Sequence, residues 1–141
     1  MRRMVLNALI VLFIVVSTGS PYAAEYPTRP ITVLVAFAAG AATDVGARIL
    51  AAESEKEMGQ PIIVVNKGGA GGQVGWTELA SQKPDGYYIG FINLPNLNSI
   101  ILDPDRKATF NLDSFVPIIN QVVDPGVIWV RADSPYKTLK D

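Results

Sequence analysis

The chain contains no cysteine and no histidine. The first absence excludes disulfides, thiolate metal sites, a cysteine nucleophile and a lipid anchor on that residue. The second excludes histidine-based triads, HExxH zinc sites and imidazole proton shuttles. Charge is also sparse: Asp, Glu, Lys and Arg make up 18% of the 141 residues, with a formal net charge of −1. A chain without a basic excess lacks the electrostatic footprint of a nucleic-acid binder. No G-x-S-x-G elbow occurs, and the acidic residues are scattered rather than spaced as metal ligands. The sequence therefore predicts no catalytic residue, no metal site and no cofactor.

What is present begins with a leader. Arg2 and Arg3 precede an apolar run at 4–16 that only Asn7 interrupts. Ser17, Thr18, Gly19, Ser20 and Pro21 break it, and Tyr22, Ala23 and Ala24 follow. This order is that of a secretory signal peptide over residues 1–24. The run is shorter than the ~20 apolar residues of a membrane-spanning helix, so no stable insertion is expected after cleavage. Cleavage after Ala24 leaves 117 residues. Export without cysteines suits a bacterial periplasm, where folding need not rely on disulfides.

Beyond the leader, the pattern is α/β. ITVLVAF at 31–37 is a continuous β-branched run, the signature of a strand buried on both faces. Small residues at 38–42 form a turn, and Thr43 or Asp44 offers an N-cap for a helix reaching about Met58. Val45, Ile49 and Ala52 supply its apolar stripe, Glu53, Lys56 and Glu57 face water, and Gly59 ends it. PIIVVN at 61–66 predicts a second buried strand, a short helix through Trp76, Leu79 and Ala80 follows, and residues 87–92 predict a third strand after the turn Lys83-Pro84-Asp85-Gly86. The β-α-β-α-β order is that of a parallel sheet with crossover helices. Residues 94–101 fit a loop or a short helix, and 103–109 are polar. Two further strands are expected at 116–123 and 127–130, with a new helix beginning near Thr138. Trp76 and Trp129 read as core or interface residues.

Three loops are candidate sites. Residues 37–44 leave a parallel strand and enter a helix N-terminus, where open α/β sheets place ligands and where backbone N–H groups favour anions. The small side chains of Ala38, Ala39, Gly40, Ala41 and Ala42 let a ligand approach the backbone; the alternative is a tight turn that serves helix–sheet packing. Asp44 would repel a bare carboxylate. It either caps the helix or recognises an ammonium, hydroxyl or bridging water. The glycine-rich run at 67–75 matches neither G-x-G-x-x-G, because Val74 stands at the third position, nor the Walker lysine pattern. Close strand-to-helix packing explains it better, with a contribution to a ligand cleft as the alternative. Residues 93–98 place Asn93 and Asn96 past the third strand, where amides can donate to a carboxylate and accept from a hydroxyl. Ordinary turn chemistry is the plainer account of that segment.

Several segments taken in order carry a family resemblance. They are Tyr26-Pro27-Thr28-Arg29-Pro30-Ile31, Phe37-Ala38-Ala39-Gly40-Ala41-Ala42-Thr43-Asp44, Gly59-Gln60-Pro61-Ile62-Ile63-Val64-Val65-Asn66-Lys67, Gly69-Ala70-Gly71-Gly72 and Pro84-Asp85-Gly86-Tyr87. Together they resemble the substrate-binding proteins of tripartite tricarboxylate transporters, the Bug receptors, across residues 26–141. The stretch at 89–96 is similar to the tricarboxylate-binding branch. The resemblance implies a periplasmic binding protein of the type 2 kind, with two α/β lobes that close on a small organic anion. Family members hold a ligand carboxylate through backbone groups and waters between two loops, and the first of these loops matches Phe37, Ala38, Ala39, Gly40, Ala41, Ala42, Thr43 and Asp44. Gly40-Ala41 stands where the family has a Gly-Gly pair. The family pattern also continues for about as many residues again.

The reading is then a signal peptide at 1–24, a first lobe at 25–115, and crossover strands with the start of an incomplete second lobe at 116–141. The expected function is capture of a tricarboxylate or dicarboxylate for membrane transport, with inner-membrane transporter subunits as partners and no nucleic acid. The alternatives are a truncated, non-functional remnant and a small α/β enzyme.

Overall fold

The computed structural model describes residues 26–123 and 127–140. The leader lies outside the described residues. The fold is a three-stranded parallel α/β sheet. Strands β1 (Ile31–Val35), β2 (Ile62–Asn66) and β3 (Tyr88–Phe91) alternate with helices α1 (Ala42–Met58) and α2 (Gln73–Ser81), and α3 (Asn96–Leu102) follows β3. The strand order is β2-β1-β3. Ile31 pairs with Ile62 and Val35 with Asn66 on one side of β1; Thr32 pairs with Tyr88 and Val35 with Phe91 on the other.

The central position of β1 explains its composition. Ile31, Val33, Leu34 and Val35 are all buried. Successive strand residues point to opposite faces. Leu34 and Ala36 enter one core with Trp76 of α2, Leu97 and Ile100 of α3, and Phe110. Ile31, Val33 and Val35 point to the face where α1 packs on β1 and β2. The expectation of a second fully buried strand is corrected: β2 is an edge strand, and half of Ile63 is exposed.

The buried face of α1 also differs from the expected stripe. Asp44, Ala47 and Ala51 are buried, whereas Ile49 is 64% exposed and Val45 is exposed too. The i, i+3, i+7 positions that meet the sheet carry small residues, so the helix can lie close to the strands. Gly59 ends α1 in the left-handed conformation, its N–H donating to the Glu55 carbonyl, as a C-terminal glycine should.

The glycine-rich run serves packing. Residues Ala70–Gly72 form a 3-10 turn that leads into α2, and the Arg106 guanidinium donates to the Ala70 carbonyl at 2.8 Å. At Gly75, a Cβ would lie 2.7 Å from the Lys67 carbonyl oxygen and 2.8 Å from the Ala36 Cβ. That contact lets α2 sit on β1 and brings Trp76 into the core, where its indole N–H donates to the Phe91 carbonyl at 2.9 Å.

The chain entering β1 is pinned to the turn before β3. Tyr26 Oη donates to the Gly86 carbonyl, Thr28 N–H donates to Tyr87 Oη, and Arg29 pairs with Asp85 while lying over the Tyr87 ring. The Thr28 hydrogen bonds hold the Tyr87 hydroxyl below its ordinary range.

Two strands and a helix expected near the C-terminus do not form among the described residues. Segments 116–123 and 127–130 pair with no strand, Val116 is 86% exposed and Trp129 is 85% exposed. Trp76 is therefore a core residue and Trp129 is not. A β-branched run becomes a strand only where a ladder partner takes its backbone groups, and none faces these segments. Thr138 accepts the Lys140 N–H, a local turn bond, without a helix following.

Gly75→Ala is expected to lower stability by about 1–3 kcal/mol, because the new methyl meets backbone rather than a flexible side chain. Urea unfolding measures this. An unchanged midpoint would show that α2 can lift from β1 freely.

Candidate functional site

The strand order sets where a crevice can form. From β1 the chain crosses by α1 to β2 on one side, then by α2 to β3 on the other. The C-terminal end of β1 is thus a topological switch point, the place where open α/β sheets ordinarily put a ligand crevice. The β1–α1 and β3–α3 loops hold both groups of candidate residues.

The β1–α1 loop turns sharply. The Ala41 N–H donates to the Ala38 carbonyl at 3.2 Å, and Val45 N–H to the Ala41 carbonyl at 3.0 Å opens the helix. Gly40 sits at φ 81°, a conformation that costs a residue with a Cβ about 1–2 kcal/mol. No atom lies within 4 Å of a Cβ built there, so the constraint on Gly40 is backbone strain, not crowding. Ala41 occupies the cap position and offers no side-chain cap. The N–H groups of Ala42, Thr43 and Asp44 in the first turn have no intrahelical acceptor, and they are the anion-favouring donors of this end. Ala38, Ala39, Gly40 and Ala42 are exposed.

Asp44 is not the cap residue, and its carboxylate turns inward. It is 2% exposed. Its Oδ2 accepts from the Gly40 N–H at 2.8 Å and from Arg48 Nε at 3.0 Å, and its Oδ1 accepts from Asn66 Nδ2 at 2.8 Å. The Arg48 hydrogen bond, then the Gly40 N–H, then the Asn66 amide hold its pKa down at about 2. Charge-assisted bonds of this kind favour the ionised form. The carboxylate is consumed inside the protein and tied to its counterion, so it leaves the mouth of the loop without a free negative charge.

Phe37 is likewise engaged within the fold. Its ring meets Trp76 edge-on at 5.9 Å, and its carbonyl accepts from Asn66 Nδ2 at 3.2 Å. The third loop joins the first: Asn93 Nδ2 donates to Thr43 Oγ1 at 3.0 Å across the β1/β3 crevice. Asn93 Oδ1 is buried and has no protein partner. The Asn93 carbonyl receives the Leu97 N–H at 3.1 Å and so starts α3. Asn96 stands exposed in the first turn of α3. Thr43 and Asn93 are thus brought together, whereas Asn96 makes no hydrogen bond to the first loop.

Sequence reasoning missed Arg48 and Asn66. The i, i+4 spacing of Asp44 and Arg48 was a usable signal for their ion pair. Asn66 gave no local signal, because its role depends on the pairing of β2 beside β1. Among the described residues, no group of three His, Cys, Asp or Glu side chains could hold a metal ion.

Comparison with known proteins decides the family. The model for the tripartite tricarboxylate transporter family receptor matches residues 46–141. This chain belongs to that family. The matched span begins within α1, so the β1–α1 loop lies outside it. A UPF0065 protein from the gbd 5′ region of Cupriavidus necator is 35% identical over 83% of this chain and 35% of its own length. One from the TAR-I ttuE-ttuC′ intergenic region of Agrobacterium vitis is 37% identical over 96% of this chain and 40% of its own length. The chain thus spans well under half the length of these relatives. Among solved structures, MatC of Rhodopseudomonas palustris with bound malate is 38% identical over 60% of this chain and 29% of its own, with a TM-score of 0.55.

The Asp44 network has a pH signature. Asp44 has a lower pKa in the folded state than the usual value of 3.8. Its stabilising contribution is therefore complete above about pH 5 and is lost as pH falls through about 2. Urea midpoints measured from pH 5 to pH 2 are expected to fall more steeply for the unmodified chain than for Asp44→Asn. Parallel profiles would contradict this assignment.

Proposed function

We propose that the chain is an extracytoplasmic solute-binding receptor segment that captures a small organic carboxylate, a dicarboxylate or tricarboxylate, for delivery to membrane transporter subunits. The carrying observation is the construction of the β1/β3 crevice. It combines an N-terminal helix turn with unpaired N–H groups, the Thr43–Asn93 bridge and an Asp44 charge already neutralised by Arg48. An anion meets donors there and no competing carboxylate. Membership of the receptor family supports the same reading, as does the malate held by MatC.

In this proposal Ala38, Ala39, Gly40, Ala41, Ala42 and Thr43 present backbone to the ligand. Phe37 and Asp44 shape the loop from within, Asn93 lines the crevice, and Asn96 lies at its rim. The leader carries the chain to the periplasm. Among the described residues no helix is long and apolar enough to cross a membrane.

The lobe assignment belongs to the same proposal. In it, residues 25–115 are assigned to a first lobe and 116–141 to the crossover and the start of a second. The exposure of Val116, Ile119, Ile128 and Trp129 supports it, because so many large apolar side chains in one stretch of chain are ordinarily covered.

The test is calorimetric titration of the chain with malate, citrate and other carboxylates. A helix N-terminus contributes ~0.3–2 kcal/mol through its dipole, so the dipole by itself corresponds to a Kd of tens to hundreds of millimolar, and the titration must reach such concentrations. Absence of saturable heat with every carboxylate contradicts the proposal. Gly40→Val is expected to weaken binding about tenfold, the equivalent of ~1.4 kcal/mol of backbone strain in the binding conformation. Unchanged affinity in that variant would remove residues 37–44 from the site.

A further inference from the structure

We propose that Asn66 is a positioning residue for the β1–α1 loop, acting through Asp44 and the Phe37 carbonyl without touching the ligand. The functional meaning of this role rests on the carboxylate reading of that loop.

Asn66 is the last residue of β2 and stands beside Val35 in the parallel register. That register carries its side chain to the end of β1, where the loop begins. Both halves of the amide are used: Nδ2 donates to the Phe37 carbonyl at 3.2 Å and to Asp44 Oδ1 at 2.8 Å, and Oδ1 accepts from Arg48 Nη2 at 2.9 Å. One side chain therefore ties the strand exit, the buried carboxylate and its counterion together. Asp44 in turn takes the Gly40 N–H and holds the one residue of the turn that adopts positive φ.

The chemistry at position 66 is restrictive. A carboxylate there would oppose Asp44. An isosteric leucine would leave Asp44 Oδ1 and the part-buried Phe37 carbonyl without this partner, which is costly away from water, while the exposed Arg48 N–H would turn to solvent. Only an amide both donates twice and accepts once at this reach. Among the described residues, the charged group facing Asp44 is Arg48 from its own helix; β2 offers the uncharged Asn66 and the turn offers the Gly40 N–H. Loss of Asn66 therefore loosens Asp44 and frees it to turn toward the crevice, where it would repel an incoming anion.

The experiment uses the full chain labelled for NMR, unmodified and as Asn66→Leu and Asn66→Ser. Hydrogen exchange is read at the Gly40 amide, and the Asp44 carboxyl is titrated alongside it. In Asn66→Leu, Gly40 exchange is expected to rise at least tenfold, with the Asp44 midpoint moving up from about 2 toward 3.8, while the β1 amides of Val33 and Leu34 keep their protection. Asn66→Ser, which keeps one short hydrogen-bonding group in place of the amide, is expected to fall between the two. If Asn66→Leu does not fold, Asn66→Ser carries the same comparison. Unchanged Gly40 exchange and an unmoved Asp44 midpoint in a folded variant overturn the proposal. A variant that loosens Gly40 in a chain that binds no carboxylate supports the positioning role and contradicts the carboxylate reading instead.

Discussion

The buried carboxylate of Asp44 is the constraint on which the candidate site depends. A negative charge in the first turn of a helix suits the dipole, yet it would oppose any anion brought to the same end. The fold resolves this by turning the charge inward. Arg48 supplies the counterion from one turn along α1, Asn66 supplies a donor from the neighbouring strand, and Gly40 supplies a backbone N–H from the turn. The same bonds that neutralise the charge also fix the shape of the loop. Helix, strand and turn are thereby coupled at a single side chain.

That coupling works because β1 is central. A strand with neighbours on both sides places its exit loop between the loops of β2 and β3. Asn66 reaches the exit from one side, and Asn93 reaches Thr43 from the other. Beneath them, Gly75 lets α2 close onto β1, and Trp76 fills the space under Phe37. The core is therefore in contact with the β1–α1 loop through Phe37, and packing defects there should be felt at the loop.

The parts of the fold that were legible in the sequence were those written in local pattern. The β-branched run at 31–35, the glycine ending α1 and the β-α-β-α-β order all follow from short-range chemistry. The inward face of α1 was not legible, because Ala47 and Ala51 are selected for close approach and Val45 and Ile49 mimic an apolar stripe. Segments 116–123 and 127–130 misled for the converse reason: strand-like composition needs a ladder partner, and composition alone does not reveal one. At the site, the position of the loop could be argued from topology and the inward Asp44 could not. Its partners are four residues away on a helix and twenty-two residues away on another strand, and only the folded register brings Asn66 to it.

The central claim is that an organic carboxylate is held at the N-terminal turn of α1 while Asp44 stays turned inward. A crystal structure of the chain grown with a dicarboxylate such as malate tests it most directly. The account predicts ligand density within hydrogen-bond reach of backbone N–H groups between Ala38 and Asp44, with the Asp44–Arg48–Asn66 bonds intact. Ligand density at another surface, or Asp44 swung out to meet the ligand, would contradict it.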